Sequence, residues 1–271
     1  MADLAAWDST RYGSLGDSND GQSYDIFTQA AQAIRADSAT LLGGLTPKRV
    51  FGLGDSQSAF RVDTYVNAIQ PLTHAFDGFI AVGRAAVTAP IGSGLISSFP
   101  LPALIRSDNT MPFTQLNTEG DILELGAGLS RQPDNNYLRT WELAGAAHID
   151  AHEGAYELAT LARDQPTVPV PRCVFGTPIE GTGTPLDGIN QVNNMPLFEA
   201  DDAALAALQN WVVQGVQPPH SPRISTTPLF GGLPADQPRQ VRQCPGRNPA
   251  ARDPVADGAI FADRLLAGEP E

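Results

Sequence analysis

Cysteine, histidine and positive charge are all scarce in this chain, and each shortage narrows what it can be. Its 271 residues hold two cysteines, Cys173 and Cys244. They could form one disulfide in an exported protein, but no disulfide framework surrounds them, which favours two unrelated thiols. No C-x-x-C or paired Cys/His spacing suggests structural zinc. Lys and Arg number 17 against 30 Asp and Glu, a formal charge of −13. Such a chain repels phosphates, so nucleic acid is not an expected partner. No apolar run approaches the ~20 residues that cross a bilayer, so no membrane partner is expected either. The opening "MADLAAWDSTRYGSLGD" lacks the basic segment and apolar stretch of a signal peptide. The cytoplasm is the default expectation. The length suits one large domain or two small ones with a substantial core.

What is present is an alternation of strand-like and helix-like segments without internal repeats. "SYDIFTQAAQAIRA" (Ser23 to Ala36) spaces Ile26, Phe27, Ala30, Ala31 and Ile34 as a helix does. "KRVFGLG" reads as a buried strand, and Ser58 to Ile69 as the helix after it. "HAFDGFIAVG" (His74 to Gly83) reads as a second strand, and "MPFTQLNTEGDIL" (Met111 to Leu123) as a third ending in an acidic loop. "LRTWELAGAAHID" reads as a fourth, with a histidine in the following loop. Residues 84–109, rich in Pro, Gly and Ser, read as an irregular, cap-like insertion that would line a pocket. Glu199 to Val216 has an acidic start and apolar helical spacing. From Gln217 onward prolines and arginines outnumber periodic residues, so mostly loop is expected. The alternation implies an α/β fold with a parallel sheet. The expected division is one such α/β domain over 1–230 and an irregular tail over 231–271.

One corner in this pattern carries chemistry. The strand "VFGLG" stops at Gly54, turns through Asp55-Ser56-Gln57 and becomes helical. Ser56 there is either a helix N-cap, since Asp and Ser are common caps, or a nucleophile pushed out of the backbone by the sharp turn. Acyl transfer by serine needs a base, an acid to orient it, and oxyanion donors. Asp121 ends one later strand and His148 follows the next, giving the order Ser, Asp, His. Parallel strands gather their C-terminal ends at one edge, where three distant residues can meet. The Gln57 N–H would serve as one oxyanion donor, and Glu119 is the alternative acid. The G-x-S-x-G pattern is not fully met, because Ser58 stands at its last position.

Taken together, "WDSTRYGSL", "SYDIFTQAAQAIR", "GDSQSAFRVDTYVNAIQPL", "FDGFIAVGR", "NTEGD", "RTWELAGAAH" and "LQNWVVQGVQPPHSPRI" resemble a family of bacterial alpha/beta hydrolase domain proteins, across about Trp7 to Ile224. The resemblance implies an α/β-hydrolase fold and serine-esterase hydrolysis of a small-molecule ester without a cofactor. By position it makes Ser56 the nucleophile, Asp121 the acid and His148 the base. Such a sheet normally sets four strands before the elbow, whereas here one helix and a polar lead precede Val50. The expectation is therefore the second half of an α/β-hydrolase sheet with its N-terminal strands missing. Its elbow strand would become a free edge, open to self-association or a partner chain. An inactive or partner-dependent scaffold is the alternative function.

Two other chemistries fare worse. GDSL-type hydrolases place Asp three residues before the catalytic His, which holds for none of His74, His148, His152 or His220. "HIDAHE" could set His148 and His152 on one helical face beside Asp150 and Glu153, but H-E-x-x-H is absent and no metal is expected.

Overall fold

The computed structural model describes residues 8–15, 19–92, 94, 102–123, 125–164, 173–174, 177–178, 195–228 and 234–236. Its centre is a four-stranded, wholly parallel sheet ordered as in the sequence. After α1 (Ser23–Ala36) come β1 (Phe51–Asp55), α2 (Gln57–Thr64), β2 (Gly78–Val82), β3 (Phe113–Thr118), the short α3 (Glu119–Leu123), β4 (Leu138–Leu143), α4 (Ala151–Asp164) and α5 (Leu197–Gln214). Leu53 pairs with Ile80, Ile80 with Thr114, and Leu116 with Trp141. Among the described residues β1 is an edge strand, and Leu53 is 54% exposed.

Every residue of β2, β3 and β4 is buried, as expected of a parallel sheet covered on both faces. On one face α1 and α2 enclose an aromatic cluster of Phe27, Tyr65, Phe76, Phe79 and Phe113. Phe27 stacks on Phe76 at 4.5 Å, and Tyr65 meets Phe76 edge-on at 5.5 Å. Each such ring removes ~150–250 Å² from water, roughly 4–6 kcal/mol of transfer free energy at ~25 cal/mol per Å². On the other face α5 lays Leu197, Ala200, Ala203, Ala204 and Leu208 against Ile80, Leu116, Trp141 and Leu143. Gly215, with φ 74, ends α5 in the left-handed conformation that favours glycine.

Several elements depart from the sequence reading. The helix expected from Ser58 to Ile69 begins at Gln57 and is interrupted at Thr64 by a wide π turn over Tyr65–Ile69. The buried Tyr65 hydroxyl, bonded to Thr28 Oγ1 at 2.7 Å, sits in that turn. In α1 the buried face runs through Tyr24, Thr28 and Ala31, and Ile26 is exposed. A tyrosine and a threonine won that face because their hydroxyls have partners: Tyr24 donates to Pro90 O, and Thr28 to Tyr24 O. Asp121 lies in α3, not in a loop. Residues Thr226–Pro228 and Pro234–Asp236 pair as a small ribbon in the region expected to be loop. Cys173 lies in another such ribbon, and Cys244 is outside the described residues. Among the described residues no helix is long and apolar enough to cross a membrane.

Candidate active site

The corner after β1 is strained in a way a plain helix cap is not. Ser56 has φ 52 and ψ −116, and its side chain makes no capping hydrogen bond to α2. A positive φ at a non-glycine residue costs on the order of 1–3 kcal/mol and needs surrounding structure to hold it. The Ser56 N–H donates to Val82 O at 2.9 Å, which ties the corner to β2. Gly54 permits the sharp turn: a Cβ there would lie 2.4 Å from Ser58 O and 2.7 Å from a Val62 methyl. Ser58, where a second glycine was expected, is exposed and so needs no such clearance.

Ser56 Oγ lies 2.9 Å from His148 Nε2, and His148 Nδ1 lies 2.5 Å from Asp121 Oδ1. An ionised carboxylate can only accept, so Nδ1 carries the proton and Nε2 is left to accept from the serine hydroxyl. The three residues expected to meet at the C-terminal edge of the sheet do meet there. Asp121 is fully buried, and its other oxygen accepts from the Thr118 N–H at 2.6 Å and hydroxyl at 2.8 Å. Asp121 N–H donates back to Thr118 Oγ1 at 3.2 Å. This is a capping box with Asp in the third position, and it holds one carboxylate oxygen so that the other faces the imidazole. The T-x-x-D spacing is legible in the sequence, although the segment reads there as an acidic loop. Glu119, the alternative acid, accepts instead from the Gly145 N–H at 2.8 Å and so fastens the loop that leads to His148.

His148 leaves β4 through Gly145 and ends at Asp150. Asp150 accepts from the Glu153 N–H at 2.7 Å and the Leu197 N–H at 2.9 Å, fixing the loop to both α4 and α5. The imidazole rests on Gly83, where φ is +63 and a Cβ would stand 2.8 Å from His148 Cε1. Burial alone would lower the His148 pKa. The hydrogen bond and charge of Asp121, with the charges of Asp55 and Glu153, outweigh that and raise it above its ordinary 6.5. Nearby, burial and then the charges of Asp55, Glu153, Asp150 and Asp202 push Asp201 up to about 7. The site is therefore acidic, and it disfavours anionic ligands.

Gln57 is exposed and occupies the first position of α2, where helix geometry leaves the N–H without an intrahelical acceptor. The described residues contain no group of three or more His, Cys, Asp or Glu arranged to hold a metal. His148 precedes α4, while His152 lies in its first turn against the Phe198 ring at 4.8 Å, so the two do not share a helical face.

A parallel sheet with helices on both faces, and a strained serine at the strand-to-helix turn, define an α/β-hydrolase architecture. The chain belongs to the alpha/beta hydrolase domain family, which it matches over residues 1–258. That match runs past Ile224, where the resemblance legible in the sequence ends. No curated protein and no solved structure matches the chain.

Proposed function

We propose that this chain is a serine hydrolase that cleaves carboxylic esters through an acyl-enzyme. The observation that carries the reading is the continuous chain Ser56 Oγ, His148 Nε2, His148 Nδ1, Asp121 Oδ1, at 2.9 and 2.5 Å, hung on a strained corner. In the first half-reaction His148 Nε2 takes the hydroxyl proton as Ser56 Oγ attacks the ester carbonyl carbon. The carbonyl π pair moves to oxygen, where the Gln57 N–H donates to it. The tetrahedral adduct collapses, the C–O bond to the alcohol breaks, and His148 gives its proton to the leaving alkoxide. In the second half-reaction water gives a proton to His148 and attacks the acyl carbon; collapse releases the acid and returns the proton to Ser56. Asp121 keeps the Nδ1 proton in place and stabilises the imidazolium between steps. The steps use the chain's own side chains, the Gln57 backbone N–H and water.

The test is an active-site phosphonate probe on the purified chain, read by intact mass with Ser56→Ala as control. One adduct on the wild type and none on the variant is the expected result. A folded wild type without adduct would refute the hydrolase reading and return the scaffold alternative.

A further inference from the structure

The second turn of α2 buries a charge that the chemistry above does not use. Asp63 lies seven residues after Ser56, about two helical turns and ~10 Å along the same face. It is 0% exposed, as deeply buried as any aliphatic core residue. Its partner is Arg84, 1% exposed, with Nη2 at 2.8 Å from Asp63 Oδ2. That Nη2 also donates to Ala103 O at 2.7 Å. The pair is poorly compensated: neither Asp63 oxygen gains an aligned hydrogen bond, and Arg84 Nε has no acceptor. Burial outweighs the Arg84 charge and the neighbouring Gln115 amide, and it raises Asp63 to about 6. Apolar residues of similar volume usually fill such a place with no loss of stability.

The position of the pair suggests what it does. Arg84 directly follows Gly83, the residue against which the His148 ring rests. The Arg84 N–H donates to Asn117 Oδ1 at 3.2 Å, one residue before the Thr118 that fixes Asp121. Asp63 belongs to the helix whose head is Ser56. The segment after Arg84 is fastened to the same helix: Thr64 Oγ1 donates to Ala89 O at 2.5 Å, and the Ala89 N–H to Phe60 O at 3.2 Å. Asn67 Nδ2 donates to Leu104 O at 2.9 Å and Asn67 Oδ1 accepts from the Arg106 N–H at 3.0 Å.

We infer that the buried Asp63–Arg84 ion pair is a positioning couple for the triad, locking the helix that carries Ser56 to the Gly83 floor beneath His148 and so fixing the distance between nucleophile and base. The inference rests on the serine-hydrolase reading. Neither residue touches substrate; both act through the separation of Ser56 and His148. Displacements near 1 Å in such a pair reduce rates about 100-fold. Protonating Asp63 weakens the couple. Among the described residues Arg84 is the charged group facing it, with the neutral Gln115 opposite on β3.

The experiment compares phosphonate labelling rates, steady-state ester hydrolysis and thermal melting for the wild type and for Asp63→Leu/Arg84→Met, which removes both charges at once. The expected double variant melts at or above the wild-type temperature, yet labels about 10–100-fold more slowly, with the loss in kcat and KM within about threefold. Its rate should fall with unit slope on the acid side, whereas the wild type falls more steeply below about pH 6, where Asp63 also titrates. Asp201 is common to both proteins, so their difference isolates the buried pair. A folded double variant with wild-type labelling rate and pH profile overturns the inference while leaving the hydrolase reading intact. If the double variant does not fold, the wild-type limb decides, and a unit slope down to pH 5 overturns it. A wild type that takes no label refutes the hydrolase reading, and the inference falls with it.

Discussion

Gly83 offers the sharpest quantitative test of the site geometry. Its φ of +63 lies in the left-handed region, and a Cβ there would stand 2.8 Å from His148 Cε1 and 3.1 Å from Nδ1. Contacts under 3.0 Å force a shift and ordinary contact begins at 3.4 Å, so Gly83→Ala must push the imidazole back by a few tenths of an ångström, and by about 0.6 Å to restore ordinary contact. The ring cannot yield toward Asp121, which is buried and held by Thr118, so the movement falls on the 2.9 Å contact with Ser56. Misplacement of that size lowers the rate about 10–100-fold. The backbone strain costs about 1–2 kcal/mol, or roughly 2–8 °C in Tm for a chain of this size. Labelling by the phosphonate probe and a thermal melt, run on one preparation, separate the two effects. Gly83→Ala with a wild-type labelling rate would show that His148 does not rest on Gly83 when it acts, and the geometry described here would be wrong.

Other perturbations give distinct signatures. Ser56→Gly should abolish labelling and, by relieving the strained φ, leave Tm unchanged or raise it by up to ~12 °C, the net of roughly 1–3 kcal/mol of strain relieved and up to ~1 kcal/mol of added chain entropy; a lower Tm would contradict the strain. Hydrolysis should rise with pH through a midpoint above 6.5, because His148 acts as base only when neutral and its pKa is raised; a midpoint below 6 would contradict the assignment of its partners. The same shift makes charged His148 stabilising, so that contribution is full below pH 6.5 and is lost as pH rises through the folded pKa. A pH series of thermal melts on the wild type and His148→Ala checks that sign. Asp121→Asn should reduce kcat by about 10³–10⁴-fold, by analogy with serine proteases. Glu119→Gln keeps an acceptor for the Gly145 N–H and should change kcat by less than about threefold; the reverse ranking would make Glu119 the orienting acid.

Local patterns in the sequence expose the parts of this protein that local rules govern. β1, β2, β3, β4 and α5 follow from apolar runs and helical spacing, and the order of Ser56, Asp121 and His148 follows from which residue ends which strand. The errors fall where tertiary partners override local preference. Ile26 suits a buried helix face, but Tyr24 and Thr28 take that face because Pro90 and Tyr65 supply partners 66 and 37 residues away. Arg139 and Glu142 carry charge within β4, and both are buried because Asp134 binds one and Arg131 the other. Asp63 and Arg84 are the extreme case. No local pattern in the sequence marks either for burial, and only the packing of α2 against β1 and β2 encloses them.

The most direct test of the central claim is to trap the acyl-enzyme. The wild type, mixed with an activated acetate ester and quenched in acid within the first turnover, is digested and its peptides weighed. The account predicts an acetyl group on the peptide carrying Ser56, released in step with acetate, and absent from Ser56→Ala. Ester cleavage with that peptide unmodified throughout, or the acetyl group on another residue, would contradict it.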